Sequence, residues 1–393
     1  MRRAVIVIGC SYGDEGKGLA ASRTAGQMEG PVLNILINGG AQRGHTVDLP
    51  DGRRHVFHHF GSAALQGGVS YADEDFLANP LLYAQERKEL EQEFGIRPRL
   101  IISGRCRVST PWDMMAGQII EESRGKRRHG SCGCGIQETI VRYRNTDWAV
   151  RWEELILMGK NEFLAYCRRV ADEYLPARLK EMGAAANREW GQVIHDPGIA
   201  EAAWQDLQEM SRATECGRDW KTLASAYPAL VFEAGQGLAL DACNKADFPH
   251  LTPSRTTSRT SAERIAALPG KTETEILYVT RSYLTRHGAG PFPTECSREQ
   301  IGEGILDRTN VPNPHQQTLR YGLFDGPAVL QRVKADLEET RKVLPGAAAA
   351  VLVTHLNETD GEIKGNMRLK DFSAHFDRIL LSDSPWDVHE MSR

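Results

Sequence analysis

The stretch AVIVIGCSYGDEGKG, residues 4–18, decides how this sequence folds. Its first half, Ala4–Ile8, is continuously apolar and rich in β-branched residues, which is typical of a strand that is buried on both faces. Its second half places one Asp, one Glu and one Lys among glycines. A glycine turn between a buried strand and a helix favours phosphate, because backbone N–H groups and the helix dipole both attract an anion.

This turn differs from the standard phosphate loop GxxxxGK[ST] at two points. Lys17 is followed by Gly18 rather than by a hydroxyl that holds Mg²⁺, and Ser11 stands where the first glycine would be. Asp14 has no place in a simple phosphate cradle, because a carboxylate repels phosphate. We therefore expect Asp14 to bind Mg²⁺ or to take a proton from a second substrate. The alternative is a tight turn whose charges are merely solvated.

The rest of the chain predicts an α/β fold with a large, mostly parallel central sheet, helices on both faces and ligands at the carboxyl ends of the strands. Helices are expected at 79–94, with Asn79 as N-cap, and at 152–182, 199–212 and 327–343. We expect one domain over residues 1–393 with a helical subdomain at roughly 110–225. The further predicted strands are Val32–Ile37, Leu100–Ser103, Leu230–Glu233, Glu275–Thr280, Ala350–Thr354 and Arg378–Ser382.

Composition disfavours several classes of protein. The formal net charge of -4 gives no basic signature for a nucleic-acid partner. No run of about 18 apolar residues is present for a membrane span, and the five apolar residues before Gly9 are too few for a signal peptide. The eight cysteines are scattered without a CxxC pair, which disfavours a zinc site and favours free thiols in a reducing cytoplasm.

Further glycine-rich or hydroxyl-rich turns follow other predicted strands. They are Asn38–Thr46, Phe232–Gly237, Thr252–Thr257 and Thr285–Glu295. Glycines let the backbone approach a ligand closely, and His45 in the first of these turns could donate to an oxygen that gains charge. Each turn alone is weak evidence for a ligand site, and a lone histidine such as His45 more often has a structural role.

Taken together, the turns resemble those of the adenylosuccinate synthetases. The matching pieces are GDEGKG, the GHT that follows a GG turn, FEAGQG, DFPHLTPSRTT, TRHGAGPFPTE, RYGLFD and THLNETDG, in the family's order. The family is a carbon–nitrogen ligase that joins L-aspartate to C6 of a 6-oxopurine nucleotide with a nucleoside triphosphate and Mg²⁺. Deprotonation at N1 lets O6 attack the γ-phosphorus, and the aspartate amine then displaces the phosphate from C6.

The resemblance implies roles for individual residues. Asp14 would take the N1 proton, Lys17 would stabilise the phosphoryl group, His45 would donate to the phosphates or O6, and Gln236 would hold the O6 region. The metal ligands would be Asp14 and the carbonyl of Gly44. The remaining implied contacts are Gly13, Glu15, Gly16, Lys17, Gly18, Gly44, Thr46, His355, Asn357 and Ser382 for the triphosphate; Asp14, Gln42, Ser131, Cys132, Arg144, Gln236, Leu251, Thr252 and Gly288 for the nucleotide; and Thr309 and Arg320 for aspartate.

Family members also place an arginine from a second subunit on the nucleotide's 5′-phosphate, which implies a homodimer. Arg142 and Arg144 are the two candidates for that arginine, and Arg144 is preferred here.

The donor site departs from the family. The TKxD motif that reads guanine is here Thr354-His355-Leu356-Asn357. Asn offers one acceptor and one donor, which suits adenine better than guanine. We expect ATP or dATP as donor, or acceptance of both purines; the alternative is an Asn that still reads guanine through other contacts.

The acceptor and aspartate sites depart as well. The arginine-rich aspartate loop keeps only Arg320 at its end. The family's TTGRG-like turn is replaced by SCGCG at 131–135, and the Asn-Ala of its GGxNAGHT turn by Gln42-Arg43. These changes resemble a bacteriophage branch of the family that uses dGMP instead of IMP, so the expected location is the cytoplasm, that of the host for a phage protein.

We therefore favour dGMP as the acceptor and keep an ordinary IMP- and GTP-dependent enzyme as the alternative. Many members of the phage branch have lost the catalytic aspartate, whereas this chain retains Asp14. A carboxylate facing N1–H could equally accept from the 2-amino group of guanine, so Asp14 is compatible with either acceptor.

Two classes outside the ligases are disfavoured. A regulatory GTPase would need a hydroxyl after Lys17, a DxxG motif and an intact TKxD. An inactive nucleotide-binding protein would not need to keep Asp14, Lys17, His45 and Gln236 together.

Overall fold

A computed structural model describes residues 1–217, 219–305, 310 and 318–391. Its main feature is a ten-stranded sheet with the order β5-β4-β3-β2-β6-β1-β7-β8-β9-β10. The strands are β1 Arg2–Gly9, β2 Val32–Leu36, β3 Val69–Ala72, β4 Leu100–Ser103, β5 Glu215–Gly217, β6 Ala229–Gly237, β7 Thr272–Arg281, β8 Ala348–Thr354, β9 Arg378–Leu381 and β10 His389–Glu390.

Every neighbouring pair in this sheet is parallel except β9 with β10, which is antiparallel. The opening strand β1 lies in the middle, with Val5 opposite Val231 of β6 and Glu275 of β7. Its side chains enter two separate apolar clusters. Ile6 and the residues on the same face of the strand lie in one cluster, and Val5 and Val7 lie in the other. Burial on both faces explains why the strand reads as a continuous apolar run.

Helices cover both faces of the sheet. Helix α1 packs Ala21 and Ala25 onto the Val5 face, whereas α12 packs Val329 and Val333 onto the Ile6 face. The helices are α1 Lys17–Gln27, α2 Pro80–Phe94, α3 Pro111–Arg124, α4 Ile136–Arg142, α5 Trp152–Leu155, α6 Lys160–Arg169, α7 Leu175–Glu181, α8 Arg188–Ile194, α9 Pro197–Ala213, α10 Trp220–Ser225, α11 Arg259–Ala266, α12 Gly326–Arg341 and α13 Leu369–Ser373, with a π-turn at Val170–Tyr174 between α6 and α7.

Short 3₁₀ turns and small sheets complete the chain. The turns are Ser62–Gln66, Gly125–Arg127, Leu238–Leu240, Lys245–Asp247, Arg298–Gln300 and Leu356–Glu358. The small sheets are a hairpin of His45–Asp48 with Arg54–Phe57, a set of Gly39–Gly40, Phe76–Ala78 and Arg107–Val108, and a set of Leu284–Arg286, Arg320–Gly322 and Glu295–Cys296.

The predicted fold class is confirmed, and all seven predicted strands lie in the main sheet. The predicted cap of α2 is also present, because the Asn79 side chain accepts from Leu82 N at 3.3 Å. Strands β3, β5 and β10 were not predicted; each has only two to four residues and includes polar side chains, and β10 is wholly polar. Helices α3 to α10 occupy the range predicted for a helical subdomain, but β5 within that range joins the main sheet, so the subdomain stays a prediction.

Among the described residues, no helix is both long enough and apolar enough to cross a membrane. All eight cysteines are free thiols.

The two arginines considered for the nucleotide's phosphate have different surroundings. Arg142 is fully buried, and its Nε and Nη2 each donate to the Asp113 carboxylate at 2.8 Å. Its Nη1 donates to the Tyr166 hydroxyl at 2.7 Å. Arg144 is exposed. Arg142 therefore ties α4 to α3 and has no freedom to reach another subunit.

We predict that Arg142→Met lowers the free energy of unfolding by about 3–5 kcal/mol, because it leaves the buried Asp113 carboxylate without its cation. Urea denaturation followed by circular dichroism measures this. Arg144→Met is the matched control and should change stability by less than about 0.5 kcal/mol. Equal losses in both variants would contradict the assignment.

Candidate active site

The glycine turns meet at the carboxyl ends of adjacent parallel strands. Strand β1 leads into residues 10–16, β6 ends at Gly237, β7 ends at Arg281 and β8 ends at Thr354. Because β6, β1, β7 and β8 are neighbours, all four turns lie along one edge of the sheet. This edge is where open α/β sheets bind their ligands.

The first turn contains its own anion. The buried Glu15 carboxylate accepts from Ser11 N at 2.5 Å and from Gly13 N at 3.2 Å. A Cβ at Gly9 would collide with this carboxylate, which explains the glycine at the end of β1. Burial raises the pKa of Glu15 to about 7. The Glu15 side chain therefore braces the turn from inside.

The next helix presents free donors to the edge. Helix α1 begins at Lys17, and its N-cap residue, Gly16, has φ +91° and provides no side-chain cap. The first N–H groups of such a helix attract an anion such as phosphate. Lys17 is buried beside them and its Nζ donates to the carbonyl of Gly13. Gly18 leaves room for the backbone of His45 and Thr46, so the first and second turns are in contact.

Asp14 lies at the mouth of the first turn, with its side chain 26% exposed. Its Oδ2 accepts from Arg281 Nη2 at 2.7 Å and from Asn310 Nδ2 at 3.1 Å. Burial would raise the pKa of Asp14, but the positive charge of Arg281, helped by His287 and His355, outweighs it and holds the pKa well below its usual range. Asp14 is therefore a fixed anion facing the cleft.

The second turn holds His45 in a buried polar cluster with Glu233 of β6. His45 Nδ1 lies 2.5 Å from Glu233 Oε1, which also accepts from Ser62 Oγ at 2.5 Å. Arg43 Nη2 lies 3.0 Å from the same Oε1. Burial and the adjacent Arg43 lower the pKa of His45 to about 3. For Glu233, burial acts upward, but Arg43 and His45 lower its pKa to about 2.

Two glutamines have features that indicate a functional site, one in its backbone and the other in its side chain. Gln236, at the end of β6, has φ +67°, a left-handed conformation that is costly for a residue with a side chain and that concentrates at functional sites. Its Cα would lie 2.9 Å from a Cβ at Gly13, so it sits directly against the first turn. Gln42 has a buried Oε1 without a donor among the residues that the structure describes.

The residues expected around the 5′-phosphate come together from three segments. Ala289 N, next to Gly288, donates to His129 O at 3.0 Å, which places the 288 turn beside Ser131 and Cys132. The rings of His129 and His250 lie 5.0 Å apart, which brings Leu251 and Thr252 to the same place. The carboxylate of Glu121 accepts from Gly130 N at 2.9 Å and Ser131 N at 3.5 Å, so it braces this turn as Glu15 braces the first.

The altered donor motif, Thr354–Asn357, lies against the first glycine turn. Thr354 Oγ1 donates to the carbonyl of Glu15 at 3.0 Å, and His355 follows with φ +60°. Leu356 N donates to Ser382 O at 3.2 Å, which brings the exposed Asn357 close to Ser382, another of the expected triphosphate contacts.

The expected aspartate ligands remain predictions. Thr309 lies outside the described residues. Arg320 already uses its guanidinium: Nε donates to Glu295 at 2.8 Å, Nη2 to the other oxygen of Glu295 at 2.5 Å, and Nη1 to the carbonyls of Gly288 and Gly290 at 3.1 and 3.0 Å. Arg320 thus braces the 288–295 turn, and binding a carboxylate would require it to release Glu295.

Sequence reasoning missed the partners of the expected site residues. Arg281 holds Asp14, and Glu233 holds His45; Arg281 is the last residue of β7, and Glu233 is the last residue of the strand predicted at 230–233. Their position at strand ends was the available signal, but nothing in the sequence shows which turn each side chain reaches.

The candidate metal ligands suit Mg²⁺, which substrate phosphates help to hold, better than a metal ion that is held by protein side chains alone. Among the residues described, no group of three or more His, Cys, Asp or Glu side chains could hold an ion. Mg²⁺ is commonly bound by one or two carboxylates together with substrate phosphates. The partly exposed Asp14 and the exposed Gly44 suit that arrangement.

An open α/β sheet with a phosphate turn, a buried lysine and a second charged turn defines a nucleotide-dependent enzyme. More specifically, the chain belongs to the adenylosuccinate synthetase family, whose model matches residues 6–340. It is therefore a carbon–nitrogen ligase that joins aspartate to a purine nucleotide.

Known proteins resemble the chain in both sequence and fold. The adenylosuccinate synthetase of Teredinibacter turnerae is 28% identical over 342 residues, covering 85% of this chain and 75% of that protein. The enzyme of Bordetella petrii is 28% identical over 351 residues, covering 85% and 74%.

Two solved structures share the fold. The fully ligated adenylosuccinate synthetase of Plasmodium falciparum has a TM-score of 0.65 at 17% identity, covering 90% of this chain and 77% of that one. The succinoaminodeoxyadenylate synthetase of cyanophage S-2L, bound to dGMP and to dATP as an energy donor, has a TM-score of 0.64 at 15% identity, covering 100% and 96%.

We predict that iodoacetamide alkylates Cys132 faster than the other cysteines and that bound nucleotide protects it. A hydrogen bond from Cys134 holds the pKa of Cys132 below its usual range, and the thiolate is the reactive form, so the rate should rise with pH and level off at a lower pH than for the other cysteines. Mass spectrometry of peptides over pH 5.5–8.5 measures the rates. Cys132→Ser is the control; an unprotected Cys132 would place it outside the nucleotide site.

Proposed function

We propose that this ligase joins L-aspartate to C6 of dGMP and uses ATP or dATP as its energy donor. The product would be N6-succino-2-amino-2′-deoxyadenylate, formed through a 6-phosphoryl intermediate. The proposal includes Mg²⁺ as the metal and a homodimer in which the exposed Arg144 reaches the partner's nucleotide.

The observation that carries the choice of acceptor is the buried Oε1 of Gln42, which has no donor among the described residues. A buried acceptor without a partner costs about 1–3 kcal/mol, so a bound ligand that supplies a donor is favoured. Guanine carries a 2-amino group that hypoxanthine lacks. By resemblance to the family we expect Gln42 in the nucleotide site, where an asparagine usually stands.

The size of the chain supports the same choice. The chain covers 96% of the cyanophage enzyme that binds dGMP, but only 73–79% of the first three curated adenylosuccinate synthetases. The chain thus matches an enzyme that binds dGMP over nearly the whole length of that enzyme.

We assign each residue a task in the reaction that agrees with its position at the site. Arg281 keeps Asp14 ionised, so its carboxylate can accept a hydrogen bond and then the proton from N1. Lys17 and the free N–H groups of α1 would bind the triphosphate, and His45 would contact the transferring phosphoryl group or O6. Mg²⁺, when held by Asp14 and the Gly44 carbonyl, would offset phosphate charge. Gln236, strained against the first turn, would orient the purine.

The acceptor is tested by incubating the enzyme with aspartate, Mg²⁺ and ATP plus either dGMP or IMP, with products measured by mass spectrometry. We expect kcat/KM for dGMP to exceed that for IMP by about 10-fold or more, as one lost hydrogen bond implies. Gln42→Asn should reduce this ratio. Asp14→Asn removes the proposed base and is the inactive control; it should lower turnover about 100- to 10,000-fold with either acceptor. Succino-IMP as the only product would favour the IMP alternative.

The donor preference follows from Asn357. Asn pairs with the N6 amine and N1 of adenine, whereas an aspartate accepts from N1–H and the 2-amino group of guanine. A mismatched buried hydrogen-bond pair costs about 1–3 kcal/mol, which is enough to select between the two bases.

We predict that Asn357→Asp lowers the ratio of kcat/KM for ATP to that for GTP by about 10-fold or more. Steady-state phosphate release with each triphosphate measures the ratio. The exposed Asn161→Asp, which adds the same charge in α6 away from the site, serves as control. Wild-type enzyme that prefers GTP by tenfold, or an N357D variant with an unchanged ratio, would show that Asn357 does not read the base.

A further inference from the structure

Arg43 carries a charge that the mechanism above does not use. It lies in the second glycine turn, where the resembling family has alanine, and it is 1% exposed. Burying a guanidinium is costly unless it is paired, so its partners indicate its function.

The surroundings of Arg43 are shaped to hold it against Glu233. A Cβ at Gly39 would lie 3.1 Å from Arg43 Cγ, and one at Gly235 would lie 3.3 Å from it, so both glycines leave room for the side chain. The guanidinium lies 5.9 Å from the centre of the Phe76 ring. At its end, Nη2 lies 3.0 Å from Glu233 Oε1 and 3.0 Å from His45 Nδ1.

Only one nitrogen of the guanidinium is engaged. Nε and Nη1 are buried and have no partner within the described part of the chain. Because Nη2 only donates and a carboxylate only accepts, whatever Arg43 contributes by hydrogen bonding passes from Nη2 to Glu233 and reaches His45 through that carboxylate.

This pair decides which nitrogen of His45 carries the hydrogen. The Glu233 carboxylate only accepts hydrogen bonds, and its Oε1 lies 2.5 Å from Nδ1, so Nδ1 must carry the hydrogen and donate it. Nε2 is then the ring nitrogen left for a substrate. Without Arg43, the Glu233 carboxylate would keep its two hydrogen bonds from Ser62 but lose its buried cation, and His45 could then take either tautomer.

We propose that Arg43 is a positioning residue: through Nη2 it fixes the Glu233 carboxylate, and thereby the orientation and tautomer of His45. The proposal rests on the proposed function only in assigning His45 to the reacting groups. It predicts that a single cationic donor suffices, because only Nη2 is used, so lysine should replace arginine here although the two are not generally interchangeable.

The kinetic test compares Arg43→Met with Arg43→Lys, with activity expressed per folded enzyme. We expect Arg43→Met to lower kcat by about 10–100-fold, as is typical when the partner that orients a histidine is lost, with KM for both nucleotides within about threefold of wild type. Arg43→Lys should stay within about fivefold of the wild-type kcat. Arg53→Met, which removes an exposed arginine, is the matched control and should behave as wild type.

A wild-type kcat in Arg43→Met, or equal losses in the Met and Lys variants, would overturn the proposal. Arg43→Gln replaces Arg43→Met if the methionine variant does not fold, with the same expected loss of kcat, since it lacks the cation.

A spectroscopic test is independent of turnover. Long-range ¹H–¹⁵N correlation spectra of protein labelled with ¹⁵N-histidine identify the nitrogen that carries the hydrogen, and His45→Gln assigns the signal. We expect the Nδ1–H form in wild type and in Arg43→Lys, and a mixture of tautomers in Arg43→Met. A hydrogen on Nε2 in wild type would overturn the proposal. If neither dGMP nor IMP is converted, the proposed function fails, while these spectra still decide the role of Arg43.

Discussion

Backbone N–H groups in buried turns must have acceptors, and in this molecule carboxylates inside the turns provide them. Glu15 binds two N–H groups of the first glycine turn, Glu121 binds those of the turn at 130–131, and Glu233 binds Ser62 N at 3.0 Å. Asp241 does the same for Thr256 N at 2.6 Å. Glycine turns without side-chain packing would otherwise have little to hold one conformation. The internal carboxylates therefore make the edge of the sheet a preformed site.

These anions also set the charges around the cleft. Two of these carboxylates, and Asp14 at the mouth of the first turn, lie near a buried cation or imidazole: Glu15 near Lys17, Glu233 near Arg43 and His45, and Asp14 near Arg281. Internal pairing leaves the N–H groups at the start of α1 as donors for a phosphate chain. It also explains how the charged Lys17 can be buried at the cleft.

The fold was largely predictable, because the seven predicted strands are mostly buried on both faces and so read as apolar runs. Strands β3, β5 and β10 were not, since two to four residues that include polar side chains give no apolar run to recognise. The turns that form the site were predictable from glycine and charge patterns. Their internal partners were not: Arg281 reaches Asp14, and Arg320 reaches Glu295, through pairing of segments distant in sequence, which no local pattern encodes. Arg142 was a candidate phosphate ligand for the same reason: no local pattern shows that it pairs with Asp113.

The main sheet ends in very short strands, β5 with three residues and β10 with two. An exposed strand edge is a template on which another chain can add a strand, and its length sets how strongly that chain is held. With so few unpaired backbone groups at either end, two copies of the protein gain little by continuing the sheet from one to the other. Self-association would have to use side-chain surfaces, and the same short edges protect a ten-stranded sheet from aggregation.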